Sequence, residues 1–229
     1  MSSPAPLSEG KRPFDVDQAL ARIAPAIADK PKAAMFDLYD QGFRTPFQQL
    51  VACIISIRTL DEVTLPVAKR LLERAGTPEQ LAALPEAQLD HLIHPATFHE
   101  AKARQIHAIA QDVVATHGGA LPCDEATLLS FRGVGPKCAN LVLGIACGQP
   151  RLGVDVHVWR VTNRWGIIRA KTPEAAIPQL AEVVPQEHWV TLNRLLVPFG
   201  KHICTRQLPH CSTCPVLDMC RQVGVGRHR

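Results

Sequence analysis

Cys204, Cys211, Cys214 and Cys220 fall within seventeen residues as C-x6-C-x2-C-x5-C, with Pro209 and Pro215 shaping the loops between them. So short a segment brings four thiols together almost whatever its path. Two disulfides would satisfy the pattern. The N-terminus, MSSPAPLSEGKRP, has no apolar stretch of the signal-peptide kind, so the chain is expected in a reducing compartment and the thiols on metal. Four thiolates mean zinc or an iron–sulfur cluster. The x6 gap and the single x2 pair fit the two short knuckles of structural zinc poorly, which makes a 4Fe-4S cluster the expectation. The other cysteines, Cys53, Cys123, Cys138 and Cys147, are scattered among apolar or small neighbours and read as core.

With 229 residues, 46% of them hydrophobic and 20% charged, the chain is long enough for one large domain or two small ones around a sizeable core. Its longest apolar runs, such as Leu50 to Ile57, are far short of the roughly 20 residues a membrane span needs. No membrane partner is expected, and the expected localisation is cytoplasmic. Residues 201–229 carry Lys201, Arg206, Arg221, Arg227 and Arg229 against Asp218, and this tail holds the whole net charge of +4. Residues 126–171 are locally basic, with Arg132, Lys137, Arg151, Arg160, Arg164, Arg169 and Lys171 against Asp155. A basic face of that kind suits a polyanion, although a solvated helix surface has the same composition.

The dominant period is helical. Thr45-Pro46, Thr77-Pro78 and Thr172-Pro173 each set a capping hydroxyl before a proline at the first helical position, and Gln48 and Gln80 complete capping boxes on the first two. Gly76, Gly118 and Gly148 close helices over about 61–75, 99–117 and 136–147. Further helices are expected at about 14–28, 46–57, 86–94, 125–131, 173–184 and 187–199. Leu152, Val154, Val156 and Val158 alternate as a strand would, the one contrary signal.

The chemically informative segment is LLSFRGVGPKCANLVLGI, residues 128–145. A short apolar helix runs into Gly133-Val134-Gly135, and a second helix starts at Pro136 with Leu141, Val142 and Ile145 on one face. The glycines allow positive φ and close approach of the backbone to a ligand. Unpaired N–H groups at the start of the second helix make an anion site that a DNA phosphate fits. A plain helix–helix turn has the same pattern.

Together these features resemble the endonuclease III family of base-excision DNA glycosylases, which are helix-hairpin-helix proteins with a Gly/Pro-rich loop and a distal aspartate. The family pattern L-P-G-V-G-x-K-T-A stands here as F-R-G-V-G-P-K-C-A from Phe131 to Ala139, and V-D-T-H-V stands as V-D-V-H-V from Val154 to Val158. The cysteine spacing ends the chain, and the likeness spans roughly residues 35–225. The resemblance implies Lys137 as nucleophile, Asp155 as essential carboxylate, and Cys204, Cys211, Cys214 and Cys220 as ligands of a 4Fe-4S cluster. It replaces the strand by a helix starting at Asp155 and running through Arg160. It also implies duplex DNA holding damaged bases or abasic sites as the partner, a monomer, and a nucleoid-associated intracellular protein. Gly133, Val134, Gly135 and Arg160 are placed among the DNA contacts, and His157 reads equally as a phosphate contact or a satisfied core residue.

The chemistry gives the two central residues a reason of their own. Attack of a neutral lysine on the sugar C1′ expels the damaged base and leaves an imine, which permits β-elimination of the 3′ phosphate and a strand nick. A carboxylate beside it can stabilise positive charge on the sugar and shuttle protons. Without the hairpin and the cysteines, the same residues would read as a solvated lysine and a helix-capping aspartate.

Two stretches depart from the family. S-A-Q-x-T-D reads S-I-R-T-L-D from Ser56 to Asp61, so Arg58 takes the place of the glutamine that helps fill the gap left by a flipped base. I-G-L-Y-x-x-K-A reads A-T-F-H-E-A-K-A from Ala96 to Ala103, which makes Phe98 the expected wedge between bases. Val156 replaces the threonine after the aspartate. The expected fold is all-α, two helical domains with a DNA-binding cleft between them that holds Lys137 and Asp155. Residues 35–150 form the bundle with the helix-hairpin-helix, and residues 151–229 form the cluster domain, against which residues 1–34 pack. The expected function is a glycosylase with AP lyase activity on oxidised pyrimidines. Two alternatives stand beside it. One is a mismatch adenine glycosylase of the same superfamily, which would lack the hairpin lysine and usually carry a further domain after the cluster. The other is a weakly catalytic lesion-binding protein, which Arg58 and the altered 96–99 loop would suit.

Overall fold

The computed structural model describes residues 10–229 and is all-α, with no strand among those residues. The chain opens on α1 (Val16–Ala26). It then builds the unit Ala33–Arg151 from α2 (Ala34–Asp40), α3 (Pro46–Ser56), α4 (Asp61–Arg74), α5 (Pro78–Ala82), α6 (Glu86–Ile93), α7 (His99–His117), α8 (Glu125–Ser130) and α9 (Pro136–Ile145). From Leu152 it rejoins α1 in a second unit containing α10 (Val156–Trp165), α11 (Pro173–Val183) and α12 (Trp189–His202). Among the described residues, no helix is long and apolar enough to cross a membrane.

α3 is the axis of the first unit. Thr45 and Gln48 close its capping box with Pro46 at the first position, and Phe47, Leu50, Val51, Ala52, Cys53, Ile54 and Ile55 are all buried. A helix apolar on every side must be wrapped, and α2, α4, α7 and α9 pack around it. Thr77 and Gln80 cap α5 in the same way, and each such cap contributes about 1 kcal/mol. The sequence gives no start signal for α2. Ala33 caps it without a side-chain bond, and burial of Ala34, Met35, Phe36 and Leu38 holds it in place.

In the second unit α10 and α12 pack together, with α1 against α12 and α11 against α10. Trp165 is 1% exposed and stacks on Phe14 at 4.7 Å between ring centroids. The strand-like alternation resolves into two conformations. Leu152 and Val154 are buried from an extended segment that ends at Asp155. Val156 then begins the helix and is exposed, and Val158 is buried.

The cysteine assignment needs one correction. Cys53 and Cys138 are buried, as the sequence suggests, but Cys123 and Cys147 form a disulfide, and Cys123 is exposed. The pair spans a separation of 24 residues and brackets α8, the following hairpin and α9. Closing a loop of that size removes unfolded-state freedom equivalent to roughly 3 kcal/mol. Small and apolar neighbours in the sequence therefore concealed a covalent clasp around the hairpin motif.

Candidate functional site

The hairpin joins α8 to α9 and is anchored by the buried side chains of Phe131 and Val134. Gly133 has φ +82, a backbone conformation that favours glycine, and a Cβ there would crowd the Gln105 side chain at 3.0 Å. Gln105 Nε2 donates to Arg132 O at 2.7 Å and fixes the hairpin on that helix. The amide of Val134 is used inside the turn, donating to Phe131 O at 3.0 Å. The first-turn amides of α9 and the Gly135 N-cap remain as the anion-facing donors. Lys137 is the second residue of α9 and is exposed.

Asp155 lies in the other unit and caps α10. Its Oδ1 accepts from His157 N at 2.9 Å and Val158 N at 2.8 Å. Neither bond uses Oδ2. The basic stretch 126–171 is not one free face. Arg151 is paired with Glu125 at 2.6 Å. Arg160, expected at the DNA, donates Nη2 to Gly200 O at 2.8 Å and Cys204 O at 3.2 Å and lies 3.2 Å from His157 Nδ1. Arg164, one turn on, reaches Thr205 O at 2.7 Å and Arg206 O at 2.9 Å. These two arginines tie α10 to the cysteine loop, and Arg132, Lys137, Arg169 and Lys171 stay exposed.

Cys204, Cys211, Cys214 and Cys220 line one small cavity, with Trp165, Phe199, Ile203, Leu217 and Val225 as its apolar wall. Arg164 Nη1 stands 3.4 Å from Cys204 Sγ. On the outer side, Arg22 of α1 pairs with Asp218 at 2.9 Å and closes the loop against the N-terminal helix.

A further arrangement has no signal in the sequence beyond its motif letters. Arg58 and Phe98 both adopt left-handed backbone, φ 55 and φ 58, and the Arg58 guanidinium stands 5.8 Å from the centroid of the Phe98 ring. Beneath them Lys102 of α7 is 5% exposed. Its Nζ donates to Ile55 O at 2.7 Å, Ile57 O at 2.7 Å and Thr59 Oγ1 at 3.0 Å. Thr59 Oγ1 also accepts from Thr97 N at 3.1 Å, which joins the two loops. Burial pulls the Lys102 ammonium down to about 8. The available clue was a lysine beside the buried stripe Ala103, Ile106, Ala110 and Val113.

Residues 51–186, which hold the hairpin, Lys137 and Asp155, match the HhH-GPD superfamily of base excision DNA repair proteins. Endonuclease III of Thermotoga maritima is 36% identical over 187 residues, covering 80% of this chain and 88% of that protein. This chain belongs to the endonuclease III family. Endonuclease III of Bacillus subtilis is 34% identical over 178 residues, 77% of this chain and 81% of that one. The solved structure of a trapped endonuclease III–DNA covalent intermediate, an estranged-adenine complex, matches with a TM-score of 0.77 at 30% identity, over 90% of this chain and 94% of that one. A thermostable thymine-DNA glycosylase, at a TM-score of 0.75 and 21% identity, shares the fold. As an endonuclease III family member, the chain is a base-excision-repair DNA glycosylase with AP lyase activity.

Proposed function

We propose that the chain removes oxidised pyrimidines from duplex DNA and nicks the strand at the abasic site, with Lys137 as nucleophile and Asp155 as the assisting carboxylate. The observation that carries this reading is an exposed lysine at the second position of the helix that follows the hairpin, in a chain 36% identical to an endonuclease III. The neutral Nζ attacks C1′, and the base leaves with the glycosidic electron pair and takes up a proton. The lysine then loses its protons as the sugar ring opens to an imine. Removal of a C2′ proton expels the 3′ phosphate, and water hydrolyses the imine to restore Lys137. Asp155 stabilises the cationic sugar and carries protons between these steps. A covalent DNA intermediate was trapped with the endonuclease III of the solved structure named above. A duplex with one oxidised pyrimidine should therefore be cut without added metal ions or any added nuclease, whereas an undamaged duplex should not. Release of a base without any strand cut would sink the lyase half of the proposal.

The four cysteines suit a 4Fe-4S cluster. Four thiols lining one apolar-walled cavity are a donor set that suits such a cluster. Cys204, Cys211, Cys214 and Cys220 would hold it, and it would supply fold energy to a loop with few large apolar residues of its own. Purified protein should be brown, with about four irons and four labile sulfides per chain. Cys211→Ser should lose iron and lower the melting temperature, and stoichiometric zinc in the wild type would overturn the assignment.

For the lesion-reading loops, we place Arg58 and Phe98 at the DNA. Both are exposed, and Ile57 and Leu60 beside them are 40% and 70% exposed. Apolar side chains left in water around a guanidinium suit a surface that meets unstacked bases.

A further inference from the structure

The geometry points to Lys102 as a positioning residue that locks Arg58 and Phe98 into one stacked unit, so that the pair reads the base left opposite a lesion together. The inference rests on the placement of these two side chains at the DNA argued above. It goes beyond that placement in naming what makes them act as one.

Two bulky residues in left-handed backbone, on separate loops, need something that over-determines both conformations. Lys102 supplies it. All three of its ammonium protons are used, on Ile55 O, Ile57 O and Thr59 Oγ1. Those acceptors flank Arg58 in sequence, and two of them are carbonyls at the end of α3, where a helix leaves its acceptors unpaired and a cation is favoured. The same Thr59 hydroxyl receives the Thr97 amide, next to Phe98. A second anchor, His99 Nδ1 to Asp90 Oδ1 at 2.6 Å, holds the start of α7 from the far side.

The Lys102 side chain is buried and its ammonium donates only to neutral acceptors. A buried charge without an anion is a costly way to fill a core position. Its bonds are matched by the shape of the two loops it joins. With that clamp, the Phe98 face carries the Arg58 guanidinium at cation–π distance, and the planar donors of Arg58 are presented already oriented. A guanidinium so presented matches the two acceptors of an unpaired guanine better than the edges of the other bases.

Binding to duplexes that hold a tetrahydrofuran abasic analogue opposite each of the four bases tests the clamp without any chemistry at the lesion. Wild type should favour guanine by about 10-fold over the weakest base. Arg58→Gln and Phe98→Ala should each reduce that spread, and the double variant should fall no further than the worse single one, as coupled residues do. In Lys102→Met the spread should shrink to about 2-fold or less, and the non-additivity between Arg58 and Phe98 should disappear. Helical circular dichroism checks the fold. Should Lys102→Met fail to fold, Lys102→Gln, which keeps two donors, carries the same measurement and should retain part of the spread. A Lys102→Met profile identical to wild type would overturn the inference, and so would a flat wild-type profile. Failure of the functional reading would show separately, as absence of turnover on an oxidised-pyrimidine duplex by a protein that still discriminates the opposite base.

Discussion

Lys137→Gln is expected to abolish both the borohydride-trapped protein–DNA complex and the strand nick, a loss of about 1,000-fold or more that corresponds to roughly 4 kcal/mol in the barrier. An imine between Lys137 and the opened sugar is reducible, and a glutamine amide cannot form one. The substitution is mild for the fold. Position 137 is exposed in the first turn of α9, where Gln and Lys have nearly equal helix propensity, and the turn before it is held by Phe131, Val134 and Gln105. Affinity for an abasic-analogue duplex should therefore stay within about 10-fold of wild type, because backbone amides hold the phosphate and only one cationic contact is lost. The measurement is borohydride trapping and binding on the same preparation. A trapped species at wild-type yield would show that another amine is the nucleophile. Loss of binding along with trapping would show that Lys137 mainly holds DNA.

The local chemistry of helix starts was the most legible part of the fold. Thr45, Thr77 and Thr172, marked as helix starts by the sequence, and the capping candidate Asp155 all bond their helix's first-turn amides through their own side chains. Such bonds are made within four residues, and a sequence displays them directly. What escaped depends on partners distant in the chain. α2 has no side-chain cap and exists because its apolar residues meet α3 and α4. Cys123 and Cys147 pair because the hairpin motif folds back on itself, a closure that their neighbours do not encode. Arg160 and Arg164 read as part of a basic face, and both donate to carbonyls some forty residues on, at Gly200, Cys204 and Thr205. A basic composition records how many cations a segment has, and the fold decides which of them remain for a ligand.

The same distinction runs through the site. The hairpin turn, an exposed lysine at position 137 and a capping aspartate at 155 are legible because each sits on or beside its own helix end. Arg58 and Phe98 were legible as departures from a motif. Their juxtaposition was not, since it is made by Lys102 across a chain separation of more than forty residues. Sequence spacing speaks to side chains on one element. It is silent on a buried lysine that gathers two loops.

Asp155→Asn should separate the cap that this carboxylate makes from the catalytic task proposed for it. As a cap, Oδ1 accepts the amides of His157 and Val158, and asparagine caps a helix about as well as aspartate does. The melting temperature should move little. Asp155→Ala, by contrast, removes the cap and should cost about 1 kcal/mol. As a catalytic group the comparison reverses. The amide of Asp155→Asn carries no charge to stabilise a cationic sugar and cannot cycle protons, so single-turnover base release should fall about 100- to 10,000-fold in both variants alike. Affinity for an abasic-analogue duplex should hold or rise in both, because a negative charge is removed from a site that meets phosphate. The pattern to be measured is therefore equal loss of rate with unequal loss of stability. A wild-type rate in Asp155→Asn would leave Asp155 with the cap alone. A rate that follows melting temperature across Asp155→Asn and Asp155→Ala would say the same thing, since the catalytic role requires the two quantities to part.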